Sequence, residues 1–128
     1  MEQTSGNFFQ RRLRAFGHAG RGLRLLTRKE VHFRIHLIIF ILTLIIGWWV
    51  GLSATEWLIV VVVSGLVFTA EGLNSALERL CDFVSPEYHS HIKDIKDISA
   101  AAVTLAAIAA FVAGLIIFVP KIIFPLFS

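Results

Sequence analysis

Three stretches of this chain are apolar over lengths that a bilayer explains and a small soluble core does not. A hydrocarbon core about 30 Å thick takes about 20 helical residues to cross, and residues 35–52, 57–77 and 98–119 are each of that order. Backbone polar groups in lipid must be satisfied within the spanning segment, so continuous apolar runs of this length fold as helices. The expectation is an all-α integral membrane protein, a single small domain over residues 1–128. No internal repeat or low-complexity tract interrupts it. The N-terminus is too basic, and becomes apolar too late, for a cleavable signal peptide, so the chain is expected to be mature as written.

The connections give the topology. GLSATEW, with Trp48, Trp49 and Trp57 beside it, is a short turn carrying aromatic rings suited to the headgroup level. The second connection, read as Arg79 to Lys96, is longer and polar and holds Ser85-Pro86, which disfavours continued helix. Of the twelve Lys and Arg residues, eight precede Leu37, three lie in the second connection and none in the first. An excess of basic residues marks the cytoplasmic side, which places the N-terminus and the second connection there.

Ahead of the first span, Phe9, Leu13, Phe16, Gly20 and Leu23 recur at spacings of four and three, while Arg11, Arg14, Arg21 and Arg28 project from the other side. This is an amphipathic helix over about residues 8–28, lying on the membrane. Its arginines serve either as an anchor to anionic lipid or as contacts to a soluble anion such as a nucleotide phosphate. Gly17, Gly20 and Gly22 are costly in a mere anchor and point to a bend or a close backbone approach. GHAGRG lacks the Lys-Ser/Thr ending and the preceding strand of a Walker phosphate loop.

The second span is unusual because its lower half keeps acids: FTAEGLNSALERLCDF carries Glu71, Asn74, Glu78 and Asp82. At 100° per residue these four and Ser75 fall within one sector of about 100°. A carboxylate facing lipid costs roughly 2.5 kcal/mol or more at the bilayer centre, so such acids face protein or a wet cavity and usually serve a function. Several carboxylates on one stripe repel unless a cation sits among them. Mg²⁺ takes oxygen ligands, using one or two carboxylates plus substrate phosphates. Glu78 supplies one such ligand, and Glu30, at the cytoplasmic approach to the first span, is the expected second. Glu71 lies about 10 Å deeper, where poor solvation makes a carboxylate a stronger base.

HSHIKDIKDISAAA opens the third span with Lys93, Asp94, Lys96 and Asp97. These are either a solvated charge run or partners for a phosphate, with the alanines allowing close helix approach. His89, His91 and Cys81 lack the paired spacing of a zinc site. Cys81 is the only cysteine, which rules out an intrachain disulfide, and no role is assigned to it.

Taken together, Glu71-Gly-Leu-Asn-Ser-Ala-Leu-Glu78, Asp82, Glu87-Tyr88-His89, and Lys96-Asp97 with its small-residue run resemble the prokaryotic diacylglycerol kinase family, which includes the undecaprenol kinases of Gram-positive bacteria. The match runs without an evident gap from Arg11 through Gly17, Gly22 and Glu30 to Lys121. The resemblance implies a surface helix plus three transmembrane helices, assembled as a homotrimer with active sites shared between subunits in the bacterial cell membrane. It implies Glu71 as general base with Asn74 orienting it, Glu30 and Glu78 as Mg²⁺ ligands, and Asp82 in support. Arg11, His18, Glu30, Glu78, Glu87, His89, Lys96 and Asp97 would surround ATP. Three features depart from the pattern. The lysine-aspartate pair is doubled as KDIKD, and only spacing from Glu78 favours Lys96-Asp97 over Lys93-Asp94. Ser-Ala-Ala-Ala stands where Gly is frequent, and His18 where tyrosine can occur.

The expected activity is transfer of the γ-phosphate of ATP to a lipid alcohol, diacylglycerol or undecaprenol, with the bilayer and no nucleic acid as partner. HFRIH, SATEW and GLIIFVPK are similar to the undecaprenol-using branch. The rival is a non-enzymatic helper or ion-conducting subunit, which requires a polar face continuing across the membrane. Residues 57–68 offer only Ser64 between the opening Trp57 and the acids, so the stripe stops midway and favours a one-sided site.

Overall fold

The computed structural model describes residues 7–126, so the first six and last two residues of the expected 1–128 unit lie outside it. The described residues form four α-helices, α1 (Phe8–Lys29), α2 (Val31–Val50), α3 (Ala54–Val84) and α4 (Ser90–Ile123), and a closing 3₁₀ turn at Phe124–Leu126. Three of these, α2, α3 and α4, are long and apolar enough to cross a membrane. The all-helical fold with one amphipathic and three membrane-crossing helices follows from the sequence as expected.

Local chemistry sets each break. Glu30 takes an extended conformation, φ −101° and ψ 112°, which separates α1 from α2 by one residue. Gly51 ends α2 in the left-handed region at φ 72°, a conformation that costs a side chain roughly 1–2 kcal/mol and glycine little. Ser53 then opens α3 with a reciprocal cap: its backbone N–H donates to Glu56 Oε2 at 2.7 Å, and the Glu56 N–H donates to Ser53 Oγ at 3.3 Å. Gly47 suits this tight return, because a Cβ there would stand 2.9 Å from both Leu52 Cδ1 and Trp57 Cη2 and those side chains would have to shift.

The second connection differs from its sequence reading. Helix α3 continues to Val84 and α4 begins at Ser90, so only Ser85–His89 is loop and most of the polar stretch is helical. With 31 and 34 residues, α3 and α4 are about 46 and 51 Å long, well beyond a hydrocarbon core of about 30 Å. Their polar ends therefore project as rigid helix past the apolar layer, carrying the charged residues on a scaffold. Helix α1 is unbroken, and a Cβ at Gly17, Gly20 or Gly22 would meet nothing within 4 Å. Among the described residues, these glycines mark neither a bend nor a close approach.

Helix α3 is the centre of the bundle, packing chiefly on α4 and also on α2. Phe33 and Phe40 of α2 both rest on Phe68 of α3, with ring centroids 5.3 and 5.6 Å apart. The second half of α1 crosses α3 at Gly72, where a Cβ would lie 3.6 Å from Leu26 Cδ1. Lys121 closes one end, its Nζ 3.2 Å from Glu56 Oε2 and donating to the Gly51 carbonyl at 3.3 Å. Arg79–Glu30 and Lys96–Asp82 pairs close the other. Few apolar side chains are buried, Phe33, Val60, Val67 and Ile117 among them, leaving broad apolar faces of the kind lipid covers.

Candidate active site

The stripe on α3 is graded in depth. Glu71 is 5% exposed and Ser75 4%, Asn74 and Glu78 are half-buried, and Asp82 is exposed. Burial thus falls toward the projecting end of the helix, giving one buried carboxylate and a wetter acidic group two turns later. Ser75 is buried with it because it faces α1, lining the small crevice with Gly22, Leu26 and Gly72.

Each acid of the stripe has a partner. Glu71 Oε1 lies 3.1 Å from His36 Nε2 on α2. Asn74 Nδ2 donates to Glu78 Oε1 at 3.1 Å. The resemblance implied that Asn74 orients Glu71; the structure places its amide one turn onward, on Glu78, at the i,i+4 spacing that a helix brings together. Among the described residues, Asn74 Oδ1 is buried without a hydrogen-bond partner. Asp82 Oδ1 accepts from Lys96 Nζ at 2.8 Å.

Other expected site residues fall on separate elements. Glu30, at the α1–α2 break, accepts a hydrogen bond from Arg79 Nη2 at 2.6 Å. Arg79 follows Glu78 directly, so Glu30 is brought to the right level of α3 but is held by the arginine. Asp97 pairs with Lys93 one turn earlier on α4, which means the doubled KDIKD motif splits: Lys96 reaches α3, whereas Lys93 serves Asp97. Arg11 and His18 are exposed on α1, His18 Nδ1 accepting from Arg21 at 3.2 Å. Glu87 and His89 are exposed in and beside the loop, where the His89 ring packs 5.5 Å from His91.

Among the described residues no three or more His, Cys, Asp or Glu side chains gather as a metal site. The donor set still suits Mg²⁺, a hard cation that needs only one or two carboxylates when phosphates supply the rest. Glu78 and Glu30 each have one oxygen hydrogen-bonded.

Between α2, α3 and α4 lies an apolar cavity of about 630 Å³, walled by residues such as Ile39, Val67, Ala107, Phe111 and Gly114. His36 is its one titratable wall residue, so the cavity and the buried carboxylate meet at that ring. Sequence reading missed His36. The signal was present: a titratable side chain at the start of an apolar run needs a partner for the same reason that Glu71 does.

Comparison with known proteins places the chain in a family. The profile of the family described as prokaryotic diacylglycerol kinase matches residues 17–118. The chain is 37% identical over 116 residues to the undecaprenol kinase of Bacillus subtilis (strain 168), covering 91% of this chain and 94% of that protein. It is 33% identical over 104 residues to the diacylglycerol kinase of Escherichia coli (strain K12), covering 81% and 85%, and 33% identical over 110 residues to that of Synechocystis sp., covering 85% and 63%. With a family profile that spans most of its length and relatives of 37% and 33% identity that are both lipid kinases, the chain belongs to the prokaryotic diacylglycerol kinase family.

Proposed function

We propose that the chain phosphorylates the hydroxyl of undecaprenol with MgATP at the cytoplasmic face of the membrane. The observation that carries the reading is Glu71, 5% exposed and joined through His36 to the apolar cavity, so that a base and a lipid-sized space share one boundary. Undecaprenol is favoured over diacylglycerol by the similarity to the B. subtilis enzyme, which spans 91% of the chain.

In this reading the lipid hydroxyl enters from the cavity side and gives its proton to Glu71. Its oxygen forms a bond to the γ-phosphorus as the bond from that phosphorus to the β–γ bridging oxygen breaks, releasing ADP. Phosphoryl transfer of this kind depends mainly on positioning and on neutralising charge. Glu78 and Glu30 would hold Mg²⁺, which supplies charge neutralisation on the phosphates when bound. Arg11, His18, Lys96, Asp97, Glu87 and His89 would surround the nucleotide at the projecting helix ends, and Asn74 would fix Glu78. Because Arg79 holds Glu30 in the chain as it stands, nucleotide binding would exchange that contact for the metal.

The active assembly in this reading is a homotrimer with shared sites and a cytoplasmic N-terminus. Support comes from α1: its second half meets α3 at Leu26 and Gly72, and Arg11 lies about 16 Å along the helix from Gly22. The first half thus reaches away from its own stripe. Excess basic residues at the α1 and α3–α4 ends support the orientation.

The test is phosphate transfer from γ-labelled ATP by purified protein in lipid nanodiscs, with undecaprenol and diacylglycerol in parallel. Labelled undecaprenyl phosphate is expected. A preference for diacylglycerol overturns the substrate, and labelling of no lipid alcohol overturns the reading.

A further inference from the structure

We infer that His36 is a positioning residue for the transfer reaction, holding the Glu71 carboxylate at the boundary of the cavity in the orientation from which it takes the hydroxyl proton. The inference rests on Glu71 being the base. Four observations carry it. His36 Nε2 and Glu71 Oε1 are 3.1 Å apart, within hydrogen-bonding reach when that ring nitrogen carries a hydrogen. His36 is the polar partner recorded for Glu71 among the described residues, and a buried carboxylate without a donor is costly. His36 lines the apolar cavity, whereas Glu71 does not, so a hydroxyl arriving with its chain in the cavity meets the ring first.

The fourth observation is the register. Phe33, His36 and Phe40 share one face of α2 at i, i+3 and i+7, and Phe68 and Glu71 share one face of α3 at i, i+3. Both α2 rings close on Phe68, the residue one turn before the base. The aromatic contacts flank the histidine on either side and lock the two helices so that His36 faces Glu71. This is a reactive group held by a second residue whose own placement is fixed by packing.

Two variants and one spectroscopic measurement test it, in nanodisc-embedded full-length protein. His36→Leu removes the donor and is expected to lower kcat about 10²-fold, the loss that follows when a reacting group is misplaced by about 1 Å, while the KM for ATP stays at the wild-type value. His36→Gln keeps a donor and is expected to recover most of that loss. A residue that merely stabilised the fold would instead lower thermal stability and leave kcat per folded protein unchanged. The ¹⁵N signals of the His36 ring supply a readout independent of turnover: the Nε2 signal is expected to move when Glu71→Gln is introduced. Wild-type kcat in folded His36→Leu, or an Nε2 signal that ignores Glu71→Gln, overturns the inference alone. A wild-type protein that phosphorylates no lipid alcohol overturns the base assignment beneath it.

Discussion

Glu71 of α3 and His36 of α2 meet at 3.1 Å inside the apolar layer, joining the buried carboxylate to the edge of a cavity of about 630 Å³. The pair is a relationship between helices, not within one. Phe33 and Phe40 close on Phe68 on either side of it, and it sets a buried carboxylate beside the cavity from which, in the proposed reaction, the hydroxyl arrives. The rest of the stripe continues upward through Asn74–Glu78 and Asp82–Lys96 contacts, so polarity rises in step with distance from the lipid.

Glu71→Gln keeps the shape of the side chain and its contact with His36 but cannot accept a proton. Lipid phosphorylation is expected to fall by about 10² to 10⁴ in kcat, the usual worth of general-base catalysis. Thermal stability is expected to hold or rise, since neutralising a buried charge removes a desolvation cost. Assayed with saturating ATP and lipid, activity close to wild type in folded protein would remove Glu71 from the chemistry.

Glu78→Gln addresses the metal. An amide in place of the carboxylate still meets Asn74 but binds Mg²⁺ more weakly, so the Mg²⁺ concentration needed for half-maximal activity is expected to rise while kcat falls. Titrating MgCl₂ at fixed ATP reads both quantities. An unchanged Mg²⁺ dependence with ordinary turnover would place the metal elsewhere.

The helices and the acidic stripe were legible because they rest on periodicity and length: apolar runs at bilayer scale, and Glu71, Asn74, Ser75, Glu78 and Asp82 on one helical face. The ends of α3 and α4 were harder. Arg79, Asp82 and most of residues 90–96 are polar, and charges between two apolar runs read as loop, yet such residues sit well in a helix once i,i+4 pairs such as Lys93–Asp97 are counted. His36 was hidden for a different reason. A single sequence carries the period of each helix but not the register between helices, and here that register is fixed by three phenylalanines whose mutual contact no spacing rule reveals. The glycines of α1 misled in the opposite direction, since their cost in helix propensity argued for a close neighbour that the chain itself does not supply.

The cavity gives a prediction about lipid length. Gly114 lines it, and a Cβ there meets nothing within 4 Å, so Gly114→Leu should fit the backbone and fill space that the lipid chain would occupy. Each methylene displaced from an apolar site costs about 0.8 kcal/mol, roughly fourfold in affinity. The KM for long-chain alcohols is expected to rise by one to two such steps, with the KM for ATP unchanged. Equal KM values for long and short alcohols in wild type and variant would show that the chain binds outside this cavity.

Mixing inactive chains tests whether the sites are shared. Glu71, Asn74 and Glu78 lie within two turns of α3, with Asn74 donating to Glu78. Arg11 sits on the first half of α1, about 16 Å beyond the point where that helix leaves its own stripe. If neighbouring subunits complete each other's sites, Glu71→Gln chains co-assembled with Arg11→Ala chains should regain activity that neither has alone. In a symmetric closed ring with equal amounts of each, roughly a quarter of the sites collect both wild-type residues. Glu71→Gln mixed with Glu78→Gln should likewise regain part of the activity, because some sites would collect a wild-type residue from each chain. Recovery in the second mixture and not the first would mean that α3 of one chain supplies only the base and α3 of another only the metal ligand. No recovery in either mixture, with mixed assemblies verified by two affinity tags, would place the whole site within one chain.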